Sequence, residues 1–446
     1  PTMRLFCVFL LALLDSKGAA LVLDAGRSHF SSNSCRKCER PSNYRRQNNS
    51  LQMVLREPDL GFTIKRKEIS DTSTIGTLKV PSVGIGTISW SSSSLRKIEN
   101  ENVKELISTA CNADAAFFDT AERYGGNMKA ALGLGWGETE KLTKRYIDEA
   151  IRENGLPRLK PVVATKFTPS PWRTTAKSVV EACEQSIQRL GVDKIDLYQL
   201  HMPDIVQPLS AFGLESTKDE IYWDGLAECY ERGLVSNVGV CNYGPTLVTR
   251  CHEALAKRGI PLASNQIGYS LIGRHSGSQE TLDTCNALGI KVMAFFPFAM
   301  GLLTGKYSTE TNSNLQTKNT SLTANKKTSL EVRDLKKYIE GDGESLPKGG
   351  IEPLIKVLNT IAIRRNKTIA QIALNYIVCK GAIPIPGART SEQVTDNIGA
   401  MGWRLSPTEV AMLELEADGL GIGFEGAGFK RTSEKFVGYG VEKWQL

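Results

Sequence analysis

The sequence predicts an α/β protein built as a closed (β/α)8, or TIM, barrel of parallel strands, and two observations carry this prediction. First, eight short apolar segments alternate with amphipathic stretches beyond about residue 75 of the 446 residues, a repeat typical of this barrel. Second, polar residues stand at the C-terminal ends of several segments, and in a barrel those ends meet on one face. An open doubly wound sheet is the alternative, but no Gly-x-Gly-x-x-Gly pattern opens the first strand, so the usual dinucleotide site of that fold is missing.

The segments that we expect to be strands lie, in chain order, at residues 81–87, 115–120, 161–167, 195–201, 235–242, 262–269, 291–298 and 382–387. The stretches between them repeat apolar residues every three or four positions, as in AKSVVEACEQSIQRLG, where Gly191 is a C-terminal helix stop. The barrel is predicted over residues 75–425. Within it, residues 308–350 begin as a run of Ser, Thr, Asn and Lys, which predicts a polar insertion loop after strand seven. Residues 426–446 form a tail rich in glycine and aromatic residues.

The charge of the chain is concentrated in its first part. The net charge is +7, and residues 1–50 carry eight Lys or Arg and three acids, which is +5 and leaves only +2 for the rest. A hydrophobic content of 41% and a charged content of 23% are ordinary for a globular protein. The nearly neutral body gives no electrostatic reason to expect a nucleic-acid partner.

The ten cysteines are spread along the chain, and several stand inside apolar periodic segments. We therefore expect mostly buried free thiols. Cys35 and Cys38 form the only Cys-x-x-Cys pair. Without a second pair at zinc-finger spacing this is a weak metal signal, so no metal site is predicted.

The first sixty residues read as two targeting segments in succession. Residues 1–20 contain a basic residue, an apolar run from Leu5 to Leu14 and then small residues, which is the order of a secretory signal. The run is too short to span a bilayer, so we expect no integral membrane segment in the mature protein. Residues 21–60 begin with a stretch rich in Ser and Arg, as in a transit peptide. Together they resemble the two-part presequence of algae with complex plastids and predict a plastid (chloroplast) location; a disordered basic tail is the alternative.

Polar side chains at the ends of different predicted strands are the candidate functional residues. They are Asp119, Lys166, His201, Asn242 and Gln266. A carboxylate at the end of a buried strand is costly to bury unless it is paired. Because the barrel gathers the strand ends, the partner charge of Asp119 is expected from another strand.

Seven segments resemble motifs of the aldo-keto reductases, and they occur in the order of that family: FFDTAERYGG, VVATKF, LYQLHMPD, NVGVCNYG, SNQIGYS, GLLTGKY and IPIPGARTSEQVTDN. The resemblance extends from about Gly84 to Ala417, and plastid-located plant members look most similar.

The resemblance implies a catalytic tetrad, whose members are Asp119, Tyr124, Lys166 and His201. Reduction of a carbonyl by hydride leaves negative charge on oxygen, so a proton donor is needed beside it, and Tyr124 is the expected general acid. We expect the ammonium of Lys166 to lower the pKa of the phenol from its usual value near 10. Asp119 would hold Lys166 charged, and His201 would orient the substrate oxygen.

The resemblance also implies bound NADPH, which we favour over NADH. Asn242 and Gln266 match positions that hold the nicotinamide carboxamide, and Phe295 matches an aromatic residue that stacks on the ring. Many members have a serine before the asparagine, where this chain has Cys241. The residues expected to bind the adenosine end are Gly387, Arg389, Ser391, Gln393 and Asn397, with Arg389 at the 2′-phosphate.

Three residues of the first strand end complete the expected site. Gly86 and Thr87 are expected to line the cofactor site. Trp90 is a candidate wall of the substrate pocket, with a position on the rim as the alternative.

The function that these residues imply is NADPH-dependent reduction of an aldehyde or ketone to an alcohol, with a small-molecule substrate and a monomeric protein. Two alternatives stay open within the same family. One is a regulatory subunit of the potassium-channel β type, which keeps the fold and the tetrad. The other is a pyridoxal reductase, although no obvious arginine cluster in the motifs indicates a phosphorylated substrate.

Overall fold

The structure is a computed structural model, and it describes residues 72–90, 100–124, 136–155, 160–170, 172–204, 219–274, 277–306, 341 and 348–420. The predicted targeting segments and the predicted tail lie outside these ranges, and so does most of the predicted insertion loop.

Eight strands form one parallel sheet, and each is hydrogen-bonded to the next in chain order. A two-stranded antiparallel hairpin, β1 and β2, precedes them. The strands are β1 Thr72–Ile75, β2 Leu78–Pro81, β3 Ile85–Gly86, β4 Phe117–Asp119, β5 Val162–Phe167, β6 Ile195–Leu200, β7 Val235–Cys241, β8 Leu262–Gly268, β9 Lys291–Phe295 and β10 Ile383–Pro384. Each of the eight predicted segments contains one of the barrel strands β3–β10.

The first and last barrel strands meet, so the sheet closes on itself. A parallel bridge joins Gly86 to Gly387, and the amide N–H groups of Gly84 and Gly86 donate to the carbonyls of Pro384 and Pro386 at 2.9 Å each. A Cβ at Gly84 would lie 2.5 Å from the side chain of Ile385, so only glycine allows this approach. The predicted (β/α)8 barrel is confirmed.

The helices of the described ranges are α1 Asn100–Asn112, α2 Glu138–Asn154, α3 Ala176–Leu190, α4 Asp219–Glu231, α5 Pro245–Ala256, α6 Ser278–Ala287, α7 Glu352–Arg365, α8 Ile369–Cys379, α9 Ser391–Ile398 and α10 Pro407–Gly419. The caps follow the sequence: the hydroxyl of Thr175 accepts from the amide of Ser178 at the start of α3, and the predicted stop Gly191 takes a left-handed conformation with φ of 55°. No helix in these ranges combines the length and apolar content that a membrane span needs.

The hairpin packs its apolar side chains at the N-terminal ends of the barrel strands. Ile75 and Val80 lie in one buried cluster with Phe117, Leu197 and Met293. The amide of Thr77 in the hairpin turn also donates to Asn237 Oδ1 on β7 at 2.9 Å. This end of the barrel is therefore filled and covered, which leaves the opposite end for a site.

The described cysteines agree with the expectation of buried free thiols. All seven are free, and all but Cys379 are buried. Cys35 and Cys38 lie outside the described residues.

Candidate active site

Asp119 and Lys166 form a buried ion pair at the C-terminal ends of neighbouring strands. Along β4 the side chains alternate, so Phe117 and Asp119 face the barrel interior while Phe118 packs outward against the helices. Lys166 Nζ lies 2.6 Å from Asp119 Oδ2 and 2.8 Å from the carbonyl of Thr120. Asp119 is 3% exposed and Lys166 is fully buried. The partner charge expected for Asp119 is thus present on the adjacent strand.

Gln266 on β8 forms a hydrogen bond to the second oxygen of the Asp119 carboxylate. Its Nε2 donates to Asp119 Oδ1 at 2.9 Å, so both carboxylate oxygens have partners. Burial disfavours the charged form of Lys166, but Asp119 together with Tyr124 and Cys241 more than offsets it, and the pKa of Lys166 is raised above its ordinary value. Lys166 is therefore a permanent positive charge at neutral pH.

Tyr124 lies over this charge in the turn that follows β4. The centre of its ring is 5.1 Å from Lys166 Nζ and 5.6 Å from the centre of the His201 ring, which it meets edge to face. Burial raises the pKa of Tyr124 to about 12, because the nearby charge of Lys166 only partly offsets the loss of water. Lys166 lowers the pKa of Tyr124, as expected, but burial outweighs it, so the net pKa lies above the usual value and Tyr124 is a neutral phenol at neutral pH.

His201 follows β6 and faces Tyr124. Its backbone N–H donates to the carbonyl of Phe167 at 2.8 Å, and its Nδ1 is 3.4 Å from the hydroxyl of Thr168. Burial lowers the pKa of His201 well below its usual value, and the positive charges of Lys166 and Arg123 lower it further. The imidazole is therefore neutral at physiological pH.

Asn242 links the ends of strands β6, β7 and β8 through hydrogen bonds. It has a left-handed backbone with φ of 63°, a conformation that asparagine tolerates better than most residues. Its N–H donates to the carbonyl of Gln266 at 2.8 Å, and its Nδ2 donates to the carbonyl of His201 at 3.0 Å. Its neighbour Cys241, which replaces the expected serine, is 1% exposed, and its thiol lies 3.8 Å from Gln199 Oε1.

The predicted adenosine-binding residues surround the start of α9. The backbone N–H of Arg389 donates to Gln393 Oε1 at 2.8 Å, and the Ser391 hydroxyl donates to Glu105 Oε1 at 2.8 Å. Asn397 is 5% exposed, yet its Nδ2 has no hydrogen-bond partner among the described residues. A buried amide donor without a partner fits a ligand that brings a hydrogen-bond acceptor, such as an adenosine.

The other predicted cofactor residues lie at or next to strand ends; they are Phe295, Gly86, Gly387 and Thr87. Phe295 ends β9, is partly exposed, and meets the exposed ring of Phe296 edge to face at 5.1 Å. Gly86 and Gly387 form the seam bridge of the barrel. Thr87 is buried, and both its N–H and its hydroxyl donate to the carbonyl of Asp119.

The structure contradicts the expected pocket role of Trp90. The side chain is 2% exposed and lies in the apolar cluster that contains Phe118 and residues of α1 and α2. Its indole N–H donates to the carbonyl of Ala388 at 3.0 Å. Trp90 is therefore a packing residue that holds the loop before α9, not a wall or a rim of the pocket.

Sequence reasoning missed three residues around the tetrad: Glu122, Thr168 and Arg173. Glu122 is buried and forms an ion pair with Arg173, and Thr168 contacts both Glu122 and His201. A signal was present, since Glu122 stands inside the same motif as Asp119 and Tyr124. In the described ranges no cluster of His, Cys, Asp or Glu is arranged to hold a metal ion.

Comparison with known proteins agrees with this fold. Residues 82–415 match the Aldo/keto reductase family. The chloroplastic pyridoxal reductase of Arabidopsis thaliana is 35% identical over 347 residues, which cover 77% of this chain and 85% of that protein.

Two solved structures share the fold, both of aldo-keto reductases from the silkworm Bombyx mori. One is a complex with NADP; it is 23% identical, with a TM-score of 0.55, and the match covers 77% of this chain and 92% of that one. The other is a complex with NADPH; it is 20% identical, with a TM-score of 0.54, and the match covers 78% of this chain and 88% of that one. The resemblance predicted from seven motifs is confirmed, and the chain belongs to the aldo/keto reductase family.

Proposed function

We propose that this protein is an NADPH-dependent carbonyl reductase in which Tyr124 is the general acid. The observation that carries the proposal is the arrangement of four side chains at one mouth of the barrel. A buried Asp119–Lys166 pair lies below the Tyr124 ring, and a neutral His201 lies against its edge. This set combines a proton donor, a fixed positive charge and a neutral hydrogen-bonding group around one small space.

NADPH would supply the hydride. The residues that would hold its nicotinamide are Asn242, Gln266 and Phe295, and those that would hold its adenosine end are Gly387, Arg389, Ser391, Gln393 and Asn397. The unpartnered amide of Asn397 supports the second group, and so does the binding of NADP or NADPH by the two silkworm relatives. Ser391 and Gln393 bond within the protein here, so they would exchange these partners for the cofactor.

Tyr124, Lys166 and His201 would each contribute to protonation of the substrate oxygen in a distinct way. With a pKa of about 12, Tyr124 carries its proton throughout the neutral range and donates it as negative charge develops on that oxygen. The ammonium of Lys166 then stabilises the phenolate that remains. Because Nδ1 of His201 faces Thr168, its Nε2 is the nitrogen left for the substrate oxygen.

For the substrate, we propose an aromatic aldehyde of the pyridoxal type, which was one of the alternatives left open by the sequence. The support is the 35% identity to a plant pyridoxal reductase over most of both chains. A regulatory role of the channel-subunit type has no comparable support.

The test is a panel of aldehydes and ketones, including pyridoxal, pyridoxal phosphate and simple aromatic aldehydes, followed by NADPH absorbance. We expect reduction of pyridoxal with the highest kcat/KM, and no activity in the Tyr124→Phe protein. Turnover of other carbonyls but not of pyridoxal would reject the substrate and keep the reaction. No turnover of any carbonyl, by protein that binds NADPH, would reject the reaction itself.

We also propose that residues 1–60 carry the protein to a plastid and that it works as a monomer. The support for the location is the chloroplastic relative together with the order of the two N-terminal segments. A fluorescent protein fused to residues 1–60 should enter a plastid; retention in the cytosol or secretion would contradict this. Light scattering during gel filtration should give the mass of one chain.

A further inference from the structure

A second buried ion pair lies next to the tetrad and belongs to none of the roles assigned above. Arg173 forms two parallel hydrogen bonds to Glu122, from Nη1 to Oε1 at 2.5 Å and from Nη2 to Oε2 at 3.2 Å. Glu122 is 1% exposed. The amide of Thr168 also donates to Glu122 Oε1 at 2.7 Å. Such a bidentate pair fixes the relative orientation of the two side chains as well as their distance.

The pair joins the loop after β4 to the loop after β5. Arg173 lies between two aromatic rings, with its guanidinium carbon 4.6 Å from the centre of Trp136 and 4.9 Å from that of Phe167. Its carbonyl accepts from the hydroxyl of Tyr222 on α4 at 2.7 Å. Three separate parts of the chain therefore contact this guanidinium, and a fourth holds the backbone of Arg173.

One arm of this network leads to Tyr124. Glu122 stands two residues before it, and the carbonyl of Glu122 accepts from the amide of Gly137 at 2.6 Å. The carbonyl of Tyr124 accepts from the amide of Thr139 at 3.4 Å. The turn that carries the phenol is thus anchored on the side of Glu122 and on the side of α2.

The other arm leads to His201 through Thr168. The backbone N–H of Thr168 is bound by Glu122 and its carbonyl lies 3.4 Å from Arg173 Nη1. Its hydroxyl faces His201 Nδ1 at 3.4 Å. A movement of the Glu122–Arg173 pair would therefore move both groups that meet the substrate oxygen.

We propose that Glu122 and Arg173 are positioning residues that fix the separation and orientation of Tyr124 and His201 at the substrate oxygen. The proposal rests on the proposed carbonyl reduction. Its physical reason is that a displacement of about 1 Å in a reacting group can cost about 100-fold in rate, even when the group itself is unchanged.

The chain contains a matched control pair, Glu140–Arg189. Arg189 Nε lies 2.5 Å from Glu140 Oε2, Glu140 is fully buried, and Thr165 on β5 donates to Glu140 Oε1 at 2.6 Å. The pair has the same residue types, burial and shortest N–O distance as Glu122–Arg173, with one hydrogen bond instead of two, and it also contacts β5. It joins α2 to α3, and in the described residues neither side chain contacts a tetrad side chain directly, although Thr165 directly precedes Lys166 and Glu140 is near enough for its charge to act on Glu122.

The experiment compares Glu122→Gln with Glu140→Gln in the full chain. Each variant leaves a buried arginine without its carboxylate, so both should lower Tm. Glu122→Gln should also lower kcat by about 10- to 100-fold with little change in KM, because the geometry of the reacting groups is disturbed. Glu140→Gln should keep kcat within about twofold, since neither Glu140 nor Arg189 contacts a tetrad side chain directly in the described residues. NADPH affinity, measured by fluorescence, should be the same in both.

Two milder variants keep the proposal testable if Glu122→Gln does not fold. Thr168→Val removes the hydroxyl that faces His201 and keeps the shape of the side chain, and it should lower kcat with a small change in Tm. Arg173→Lys keeps the charge but loses the two parallel hydrogen bonds, and it should fall between wild type and Glu122→Gln.

A readout without cofactor or substrate is the imidazole NMR signal of His201. The chain has only four histidines, so a His201→Asn variant assigns the signal. Glu122→Gln and Thr168→Val should shift it, and Glu140→Gln should not. An unmoved signal together with an unchanged kcat in Glu122→Gln would overturn the proposal, as would equal losses of kcat in both glutamate variants. If wild type reduces no carbonyl, the proposed function fails instead, and the NMR comparison still decides whether the pair positions His201.

Discussion

The two ends of the barrel use the same strands for opposite purposes. On β4, Phe117 faces the interior at the N-terminal end and Asp119 faces it two residues later. Phe117 lies in a dry apolar cluster closed by the β1–β2 hairpin, whereas Asp119 binds Lys166 and Gln266. A shift of two positions along one strand thus separates a group whose burial stabilises the fold from one whose burial must be offset by partners.

Left-handed backbone occurs at both ends of the barrel, at glycine and at residues that carry a side chain. In the hairpin turn the left-handed position is a glycine, Gly76, where a Cβ would lie 2.0 Å from Asn237 Oδ1. At the mouth, Asn242 and Phe296 have positive φ of 63° and 52° although they carry side chains. Left-handed backbone at non-glycine residues costs free energy and persists where the surrounding structure enforces it, often at functional sites. Such strain is present at the open end in Asn242 and Phe296, and at the covered end in Asp114, which has a φ of 53°.

The largest expected difference between the ends comes from Tyr124→Phe. Loss of the general acid should lower kcat by about 100- to 10,000-fold, while NADPH affinity, followed by fluorescence quenching, should stay nearly unchanged because the ring can still pack. Stopped-flow or steady-state NADPH oxidation measures the rate. A variant that keeps more than about a tenth of the wild-type rate would defeat the assignment of Tyr124.

At the covered end, Phe117→Ala should have the opposite effect, a loss of stability with little change in kcat. Removal of this fully buried ring should lower the free energy of unfolding by about 3–5 kcal/mol, and the folded fraction should keep its kcat. Urea unfolding gives the first quantity, and activity below the transition gives the second. A loss of kcat without a loss of stability would mean that the two ends are not separate in function.

Arg389→Ala tests whether the polar site at the mouth of the barrel extends to the 2′-phosphate of the cofactor. A charge-assisted hydrogen bond contributes about 1.5–3 kcal/mol, so the dissociation constant of NADPH should rise by about 10- to 150-fold. That of NADH should hardly change, because it lacks the 2′-phosphate. Equal losses for both cofactors would mean that Arg389 holds the loop before α9 instead of binding the phosphate.

The smallest expected effect is that of pH on the rate. Tyr124, with its pKa raised to about 12, stays protonated as pH rises, and His201, with its pKa lowered well below the usual value, stays neutral as pH falls toward that value. Between roughly pH 7 and 10 neither group changes its charge, so kcat at saturating NADPH should be flat. A limb with a midpoint near pH 7 to 9 would show that one of these groups titrates there when the cofactor is bound.

Periodicity and strand-end chemistry predicted the barrel and the polar residues Asp119, Lys166 and His201 at its strand ends, because both depend on local patterns, and the family resemblance added Tyr124. The apolar segment ending in Asp119 and the one containing Lys166 each show a strand and its polar end, and the barrel geometry brings them together. The hairpin was missed because β1 and β2 have only four residues each, and its packing under the barrel depends on residues far along the chain. The pair Glu122–Arg173 was missed for the same reason. Its two residues lie far apart in the sequence, and nothing local to either one indicates that they form a pair.

Two predictions required quantities that a sequence does not contain. The pKa of Tyr124 depends on the balance between lost hydration and the charge of Lys166, and burial prevails. The place of Trp90 depends on which side of a short helical turn, Ile88–Trp90, faces the barrel. Its indole N–H reaches Ala388, almost 300 residues later, so no local pattern indicates it.

The seam between Gly86 and Gly387 has a consequence for how the chain must be assembled. The first barrel strand finds its second neighbour only after the last strand has been synthesised, so one edge of β3 stays unpaired on every shorter nascent chain. Unpaired edges are templates for pairing with other chains, and contacts so distant in sequence form slowly. Folding that starts before the last strand is complete would therefore act on an open sheet, in which the outer edge of β3 can pair with other chains.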